Sequence, residues 1–531
     1  MANSPLARMA RVAGSWNPQE RDAVLYAGSA LFAITTAQAS SIPLYQQWGR
    51  LAVGPYAFGA LASALAVRYA NRRRARLAQQ TDQEGRAQPV AASSGEGSPG
   101  WHWTGPRALI FLVVLVGATL LPLSLEVLWR TDSGGATHVQ PEVAVVEQSA
   151  HAFFHGHDPY QRITPHSHPK PPPGEPAYDA YNPYLPLMSL FGGPRTTHAP
   201  LRLTDARVAF SMITILVVIA ALALCRGPTG PRVLALQSMT VLPTAALPLA
   251  TGGDDLPIAA LMLLGLVLLQ RRRPLAAGIT LGVASSMKIT AWPLTALAFL
   301  AARDRDGERG RRPKLLVLAG IAGVMIPAVV PTAAANLPAF IDNVVRFPLG
   351  LSGVSSPAGS PLIGHVVVSI FPGFHRAFTI LVAAVGLAAM AYVLVRHRPR
   401  TPAALSRLIG WVMLVAILLA PATRVGYLLY PLDFFVWAWL LKGEELADAL
   451  GIADASRALV RAAHGTDRAR RAGAPGDGDG HSDGHSDGHS DGGSHRPGDD
   501  GGTGSDGEHD APHRRVSAAV GTEPLAGGAA S

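Results

Sequence analysis

Charge is what this chain has least of. Only 15% of its 531 residues are Asp, Glu, Lys or Arg, while 48% are hydrophobic; soluble domains carry about 25% charged residues. The apolar residues gather into long uninterrupted runs, which excludes an ordinary cytosolic enzyme and a mainly disordered chain. A single cysteine, Cys225, excludes an intramolecular disulfide, a disulfide-stapled secreted scaffold and a cysteine-based zinc site. No motif that reads DNA or RNA is present, so no nucleic-acid partner is expected. Arginines precede the run at 24–42, but no small-residue cleavage site follows it, so no cleavable signal peptide is expected.

What charge there is lies unevenly. Residues 443–531 carry 8 Arg/Lys against 16 Asp/Glu, and the net +9 of the whole chain therefore leaves about +17 on the remainder. A basic body on an apolar chain points to membrane lipid head groups. Runs long enough to cross a bilayer, about 17–25 residues, lie near 24–42, 51–69, 107–127, 207–225, 231–250, 255–270, 313–333, 376–396, 403–420 and 424–442. The stretch 274–302, interrupted by Lys288 and Pro293, is too long for one upright helix and too short for two full spans. It reads as two short helices that return to the side they started from. The fold class is therefore all-α and polytopic, with about twelve hydrophobic helices.

Basic connections stay cytoplasmic. Those at 71–76, 271–273, 303–314 and 396–400 can all be placed inside if 274–302 is a returning hairpin. Both termini are then cytoplasmic in a multi-pass plasma-membrane protein, and 130–206, 251–255 and 334–375 face the exterior. The domain reading is a two-helix membrane segment (1–70), a flexible linker (71–106), a core (107–442) whose 130–206 loop is exterior, and a disordered tail (443–531). The tail repeats His481-Ser-Asp-Gly three times through Gly492; such composition buries too little apolar area to offset chain entropy.

The exterior loop holds most of the polar chemistry. Residues 141–155 read as one amphipathic helix, with Pro141 in its first turn, Glu142 where a carboxylate complements the dipole, and Gly156 closing it. Glu147, His151 and His155 fall on one face of that helix, but histidines at an exterior surface account for them more simply than a metal; none is expected. Tyr160, Tyr181 and Tyr184 stand beside prolines, and such tyrosines give rigid amphipathic faces suited to sugars or isoprenoid chains. Within the spans, Lys288 is expensive to bury and so is a functional candidate. Arg207 and Arg424 lie at the outer ends of helices, where they could hold phosphate or anchor at the interface. Asp254 and Asp255 could bind sugar hydroxyls or cap a helix.

These motifs occur in a particular order: a carboxylate shortly after an outward-going span, Gly156-His-Asp-Pro-Tyr160, Tyr181-Asn-Pro-Tyr-Leu-Pro-Leu187, Leu203-Thr-Asp-Ala-Arg207, Thr251-Gly-Gly-Asp-Asp255, Ala277-Gly-Ile-Thr-Leu-Gly-Val-Ala-Ser-Ser-Met-Lys288 and Pro421-Ala-Thr-Arg-Val-Gly-Tyr427. Over roughly 107–442 the chain resembles the actinobacterial polytopic glycosyltransferases of family 87, in the GT-C superfamily. The resemblance implies transfer of a sugar, mannose or a pentose, from a polyprenyl-phosphate donor to a lipid or cell-envelope glycan acceptor on the exterior face, with no cofactor. It implies an acidic catalytic base on the first large exterior loop, which falls on Glu142, with Glu147 as the alternative. Glu142 departs from the family's commoner aspartate, and Val146 stands where a tyrosine is expected. Asp158, Tyr160, Tyr181, Tyr184, Arg207, Asp254, Asp255, Lys288, Arg424 and Tyr427 are the expected substrate-binding residues.

The chemistry asks for these residue types. Displacement at a sugar carbon passes through an oxocarbenium-like state, in which one carboxylate takes the proton of the incoming hydroxyl. Phosphate already leaves well, so cations on the leaving oxygens replace a second acid. A secondary transporter, the rival class, would show two similar halves and acids within its spans, and neither is evident. An inactive membrane scaffold of the same fold is the other alternative.

Overall fold

The computed structural model describes residues 18–84, 105–135, 137–160, 177–303, 310–349, 351–352 and 358–450. The proline-rich stretch 161–176 and the His-Ser-Asp-Gly repeats lie outside them. Among the described residues there is no strand, only an isolated bridge between Gly359 and Thr423. Seven helical segments among the described residues are long and apolar enough to cross a membrane, and the chain is a multi-pass membrane protein.

The first two helices, α1 (Pro18–Ala39) and α2 (Pro43–Glu84), form an antiparallel hairpin. Gly49 lets them touch: a Cβ there would stand 2.7 Å from Ala33 O and Ala37 N. Helix α2 runs on through Asn71 to Glu84, where the sequence reading expects a linker from 71 onward. The Arg, Ala, Leu and Gln residues of that stretch are all strong helix formers, and helix propensity carries the backbone past the apolar run.

The hairpin docks on α3, Gly105–Asp132, at a π-turn spanning Val116–Leu120. The cause can be read residue by residue. Pro122 has no N–H to give the Ala118 carbonyl one turn back. The indole N–H of the fully buried Trp48 donates to that carbonyl instead, at 2.9 Å. Gly117 faces Pro55 so closely that any Cβ there would overlap it.

Next come α4 (Pro141–Phe154), α5 (Ala206–Ala223) and α6 (Thr229–Thr251), the last interrupted at Val241–Leu242 before Pro243. The carbonyls exposed by that break are taken up by other helices: Thr119 Oγ1 donates to Thr240 O at 2.8 Å and Tyr56 OH to Val241 O at 2.5 Å. Helix α7 (Asp255–Gln270) is buried over nearly its whole length, among α5, α8 (Pro274–Ser285), α13 (Pro402–Leu419) and α14 (Leu429–Ala449). This is the main core.

Helix α8 ends at Ser285; Lys288 is extended (φ −151°, ψ 141°), and a short helical stretch, α9 (Ile289–Ala301), follows. Arg272, before α8, Ala301, the last residue of α9, and Arg303, just after it, line one cavity together with Pro402 and Asp448. The stretch 274–302 thus returns to the end it left, with Lys288 at its far tip. Helices α10 (Arg311–Ala335), α11 (Ile363–Ile370) and α12 (His375–Arg396) lie between α9 and α13 in the chain, and α12 buries only Thr379, as a lipid-facing helix does.

The molecule has two distinct ends. Arg271 pairs with Glu444, whose carboxylate also accepts from the backbone N–H groups of Arg226 and Gly227, and Arg303 donates to Arg400 O. This is the arginine end. The opposite, loop end gathers the α1–α2 turn, α4, residues 177–204, the α6–α7 turn, Lys288 and the segment before α14.

Candidate active site at the loop end

Glu142 sits in the first turn of α4 and forms an ion pair with Arg424, which precedes α14. Both are only partly covered, with side-chain exposures of 20% for Glu142 and 35% for Arg424. Burial works against the Arg424 charge, but Glu142 beside it outweighs that and holds the guanidinium above its ordinary value. Arg424 is itself placed by backbone: Thr423 N–H donates to Ala358 O at 2.7 Å, and Ser360 N–H to Thr423 O at 3.0 Å.

Deeper in the same end, Lys288 Nζ donates to Asp254 Oδ2 at 2.9 Å and to Asp255 Oδ1 at 2.6 Å. The ammonium lies 5.4 Å from the centre of the Tyr184 ring and 5.9 Å from that of Tyr427. Tyr430 OH donates to Asp255 Oδ1 at 2.6 Å, and Thr290 shares that hydroxyl. Burial pushes the Asp254 carboxyl up to about 6; Lys288 pulls it down and Asp255 pushes it up again. Glu142 acts on Asp254 as well, so the two clusters form one electrostatic unit of three carboxylates and two cations.

The structure therefore brings together Glu142, Arg424, Tyr427, Lys288, Asp254, Asp255 and Tyr184. It places the other expected residues differently. Arg130 grips Glu147 with two hydrogen bonds, of 3.0 and 2.8 Å, and reaches Asp205 at 2.8 Å; Glu147 Oε1 also accepts the Ala206 N–H at the start of α5. Arg207, with no exposed surface, is spent on Asp205, His138 O and Glu126 O. These two residues belong to a buried bracket tying α3, α4 and α5 together. Asp158 accepts the Tyr160 N–H at 2.9 Å, and Tyr160 OH donates to Tyr184 O at 2.9 Å, so this pair supports the Tyr184 loop from behind. Burial pushes the Tyr160 phenol up. Tyr181 stacks on Phe347, with ring centroids 4.5 Å apart. His151 and His155 are exposed and stack at 4.2 Å.

The turn under Glu142 needs glycine. Gly252 has φ +116°, and a Cβ there would overlap Val143 of α4 and crowd Arg207. Gln140, just before α4, donates to Thr251 Oγ1 at 2.9 Å and to Tyr45 OH at 2.7 Å. Tyr45 and Tyr430 escape the sequence reading. Tyr430 lies three residues beyond Tyr427 and so shares its helical face; for Tyr45 no such signal exists.

Residues 184–421 match the model of glycosyltransferase family 87. The matched stretch is less than half of the chain. It contains Tyr184, Arg207, Asp254, Asp255 and Lys288, whereas Glu142, Arg424 and Tyr427 flank it. The crystal structure of ArnT from Cupriavidus metallidurans bound to undecaprenyl phosphate is similar at 15% identity and a TM-score of 0.39, over 66% of this chain and 64% of that one. This chain thus spans less than two thirds of the ArnT length. No curated protein matches. The region similar to family 87 thus holds much of the charged cluster, at one end of the helices of a multi-pass membrane protein.

Proposed function

We propose that the protein transfers a sugar, mannose in the first instance, from a polyprenyl-phosphate donor to a hydroxyl of a lipid or cell-envelope glycan, with Glu142 as general base. The Glu142–Arg424 pair carries the proposal. It sets a carboxylate that can take a proton beside a guanidinium that can take a phosphate, both still reachable from outside the fold.

In the reaction, Glu142 accepts the proton of the acceptor O–H as that oxygen bonds to the anomeric carbon. The bond from that carbon to the phosphate oxygen breaks with inversion, and polyprenyl phosphate leaves with the electron pair. Arg424 exchanges its carboxylate partner for the phosphate, as a planar donor fork favours. Lys288, already neutralised by two aspartates, serves better with Asp254, Asp255, Tyr184 and Tyr427 as the wall for the donor sugar than as the phosphate ligand. Arginine-rich connections at the opposite end support an orientation in which the loop end faces the exterior of the plasma membrane.

Glu142→Gln keeps the side-chain volume and removes the base. Transfer from tritiated polyprenyl-phosphate mannose in washed membranes is expected to fall by about 10²–10⁴-fold, with unchanged protein level. Undiminished transfer rejects Glu142.

A further inference from the structure

Outside the stretch that matches family 87, the α1–α2 hairpin reaches the candidate site through Tyr45. Its turn is held by Gln46 Nε2 donating to Ser40 O at 2.6 Å and by Tyr45 N–H donating to Ile42 O at 3.0 Å. Trp48, one turn further on, fixes the base of the hairpin to α3. Tyr45 is therefore delivered by a docked element and not by a free end.

The phenol oxygen accepts from Gln140 Nε2 at 2.7 Å. A phenol both donates and accepts, and the described structure gives the Tyr45 hydrogen no recipient. Its electrostatic neighbours are Glu142, Arg424 and Tyr427. Those of Lys288 are Asp254, Asp255 and Tyr427. Glu142 and Tyr427 thus act on both Tyr45 and the lysine cluster. Gln140, two residues before Glu142, ties Tyr45 to the entry of the base's own helix, whereas among the described residues no hydrogen bond joins Tyr45 to the lysine cluster.

We infer that Tyr45 is a specificity-determining residue for the acceptor: its hydroxyl, oriented by Gln140, donates to an oxygen of the hydroxylated acceptor whose neighbouring O–H is deprotonated by Glu142. The N-terminal hairpin is then part of the active site. The inference rests on Glu142 being the base.

The test uses the full-length enzyme in membranes, with tritiated polyprenyl-phosphate mannose as donor, or the arabinose analogue if the wild type does not use mannose. Total cell lipid extract supplies acceptor. Tyr45→Phe keeps the ring and loses only the hydroxyl. The amount of extract giving half-maximal rate is expected to rise about tenfold, while the donor KM stays within twofold and Tm is unchanged. A second arm needs no turnover: in Tyr45→Cys, extract should slow maleimide labelling severalfold, whereas undecaprenyl phosphate alone should not. An unchanged extract requirement, a parallel loss in donor KM and Tm, or labelling unaffected by extract overturns the inference. Glu142→Gln separates the two readings: if it is inactive while Tyr45→Phe behaves as wild type, only the role of Tyr45 falls. If Glu142→Gln is fully active, the base assignment falls.

Discussion

Two glutamates on one short helix, five residues apart, receive opposite roles from their surroundings. Glu147 is clamped by Arg130 and capped onto the start of α5, so removing its charge leaves Asp205 alone to balance the buried guanidiniums of Arg130 and Arg207. Such losses cost about 3–5 kcal/mol, and Glu147→Gln is expected to lower Tm strongly, whereas Glu142→Gln should leave Tm near wild type. A thermal melt of both variants in the same detergent decides it. Asp254 offers a pH test. Its carboxyl is raised to about 6, above the ordinary carboxylate value, so it holds a proton below that pH and loses it as pH rises. Protonation makes the site one charge more positive. The donor is a phosphodiester whose own charge is constant there, so its KM should fall between pH 7 and 5.5, and Asp254→Asn should flatten that step. A KM profile that is flat in the wild type contradicts this.

At the scale of elements, much was legible in the sequence. Seven of the ten apolar runs coincide with helices long and apolar enough to cross a membrane, whereas 24–42, 255–270 and 424–442 do not. Lys288 inside an apolar run announces the break between α8 and α9, because an ammonium in a continuous helix there would face other hydrocarbon. What was not legible is who meets whom. Arg207 and Arg424 look alike in sequence, each basic at a helix end; only packing shows the first consumed by Asp205 and the second left facing Glu142. Tyr45 was invisible because a contact between positions 45 and 140 leaves no local pattern. The α6–α7 turn gives a further test. At Gly252, with φ +116° and Val143 in the way, even alanine is strained, at about 1–3 kcal/mol. Gly252→Ala should reduce the yield of folded protein and the transfer rate together, as read by size-exclusion in detergent and by the membrane assay.

For the whole molecule, the useful prediction concerns sidedness. The lone native cysteine is buried, so it gives little background in a labelling experiment. Thr197 at the loop end and Arg398 at the arginine end are both exposed. With an impermeant maleimide on intact cells, Thr197→Cys is expected to label and Arg398→Cys to label only after the cells are opened. The reverse result would put the candidate site in the cytoplasm and remove the exterior acceptor. Residue charge thus sets orientation, and orientation decides which pool of alcohols the base can meet.

The resting pair of Glu142 and Arg424 has one more consequence. In the proposed reaction a carboxylate paired with a guanidinium is the weaker base, so Glu142 gains basicity only when Arg424 turns to the donor phosphate. In that scheme the arriving phosphate draws Arg424 away and frees Glu142 for the acceptor. Fidelity of transfer then follows from the order in which the two molecules arrive.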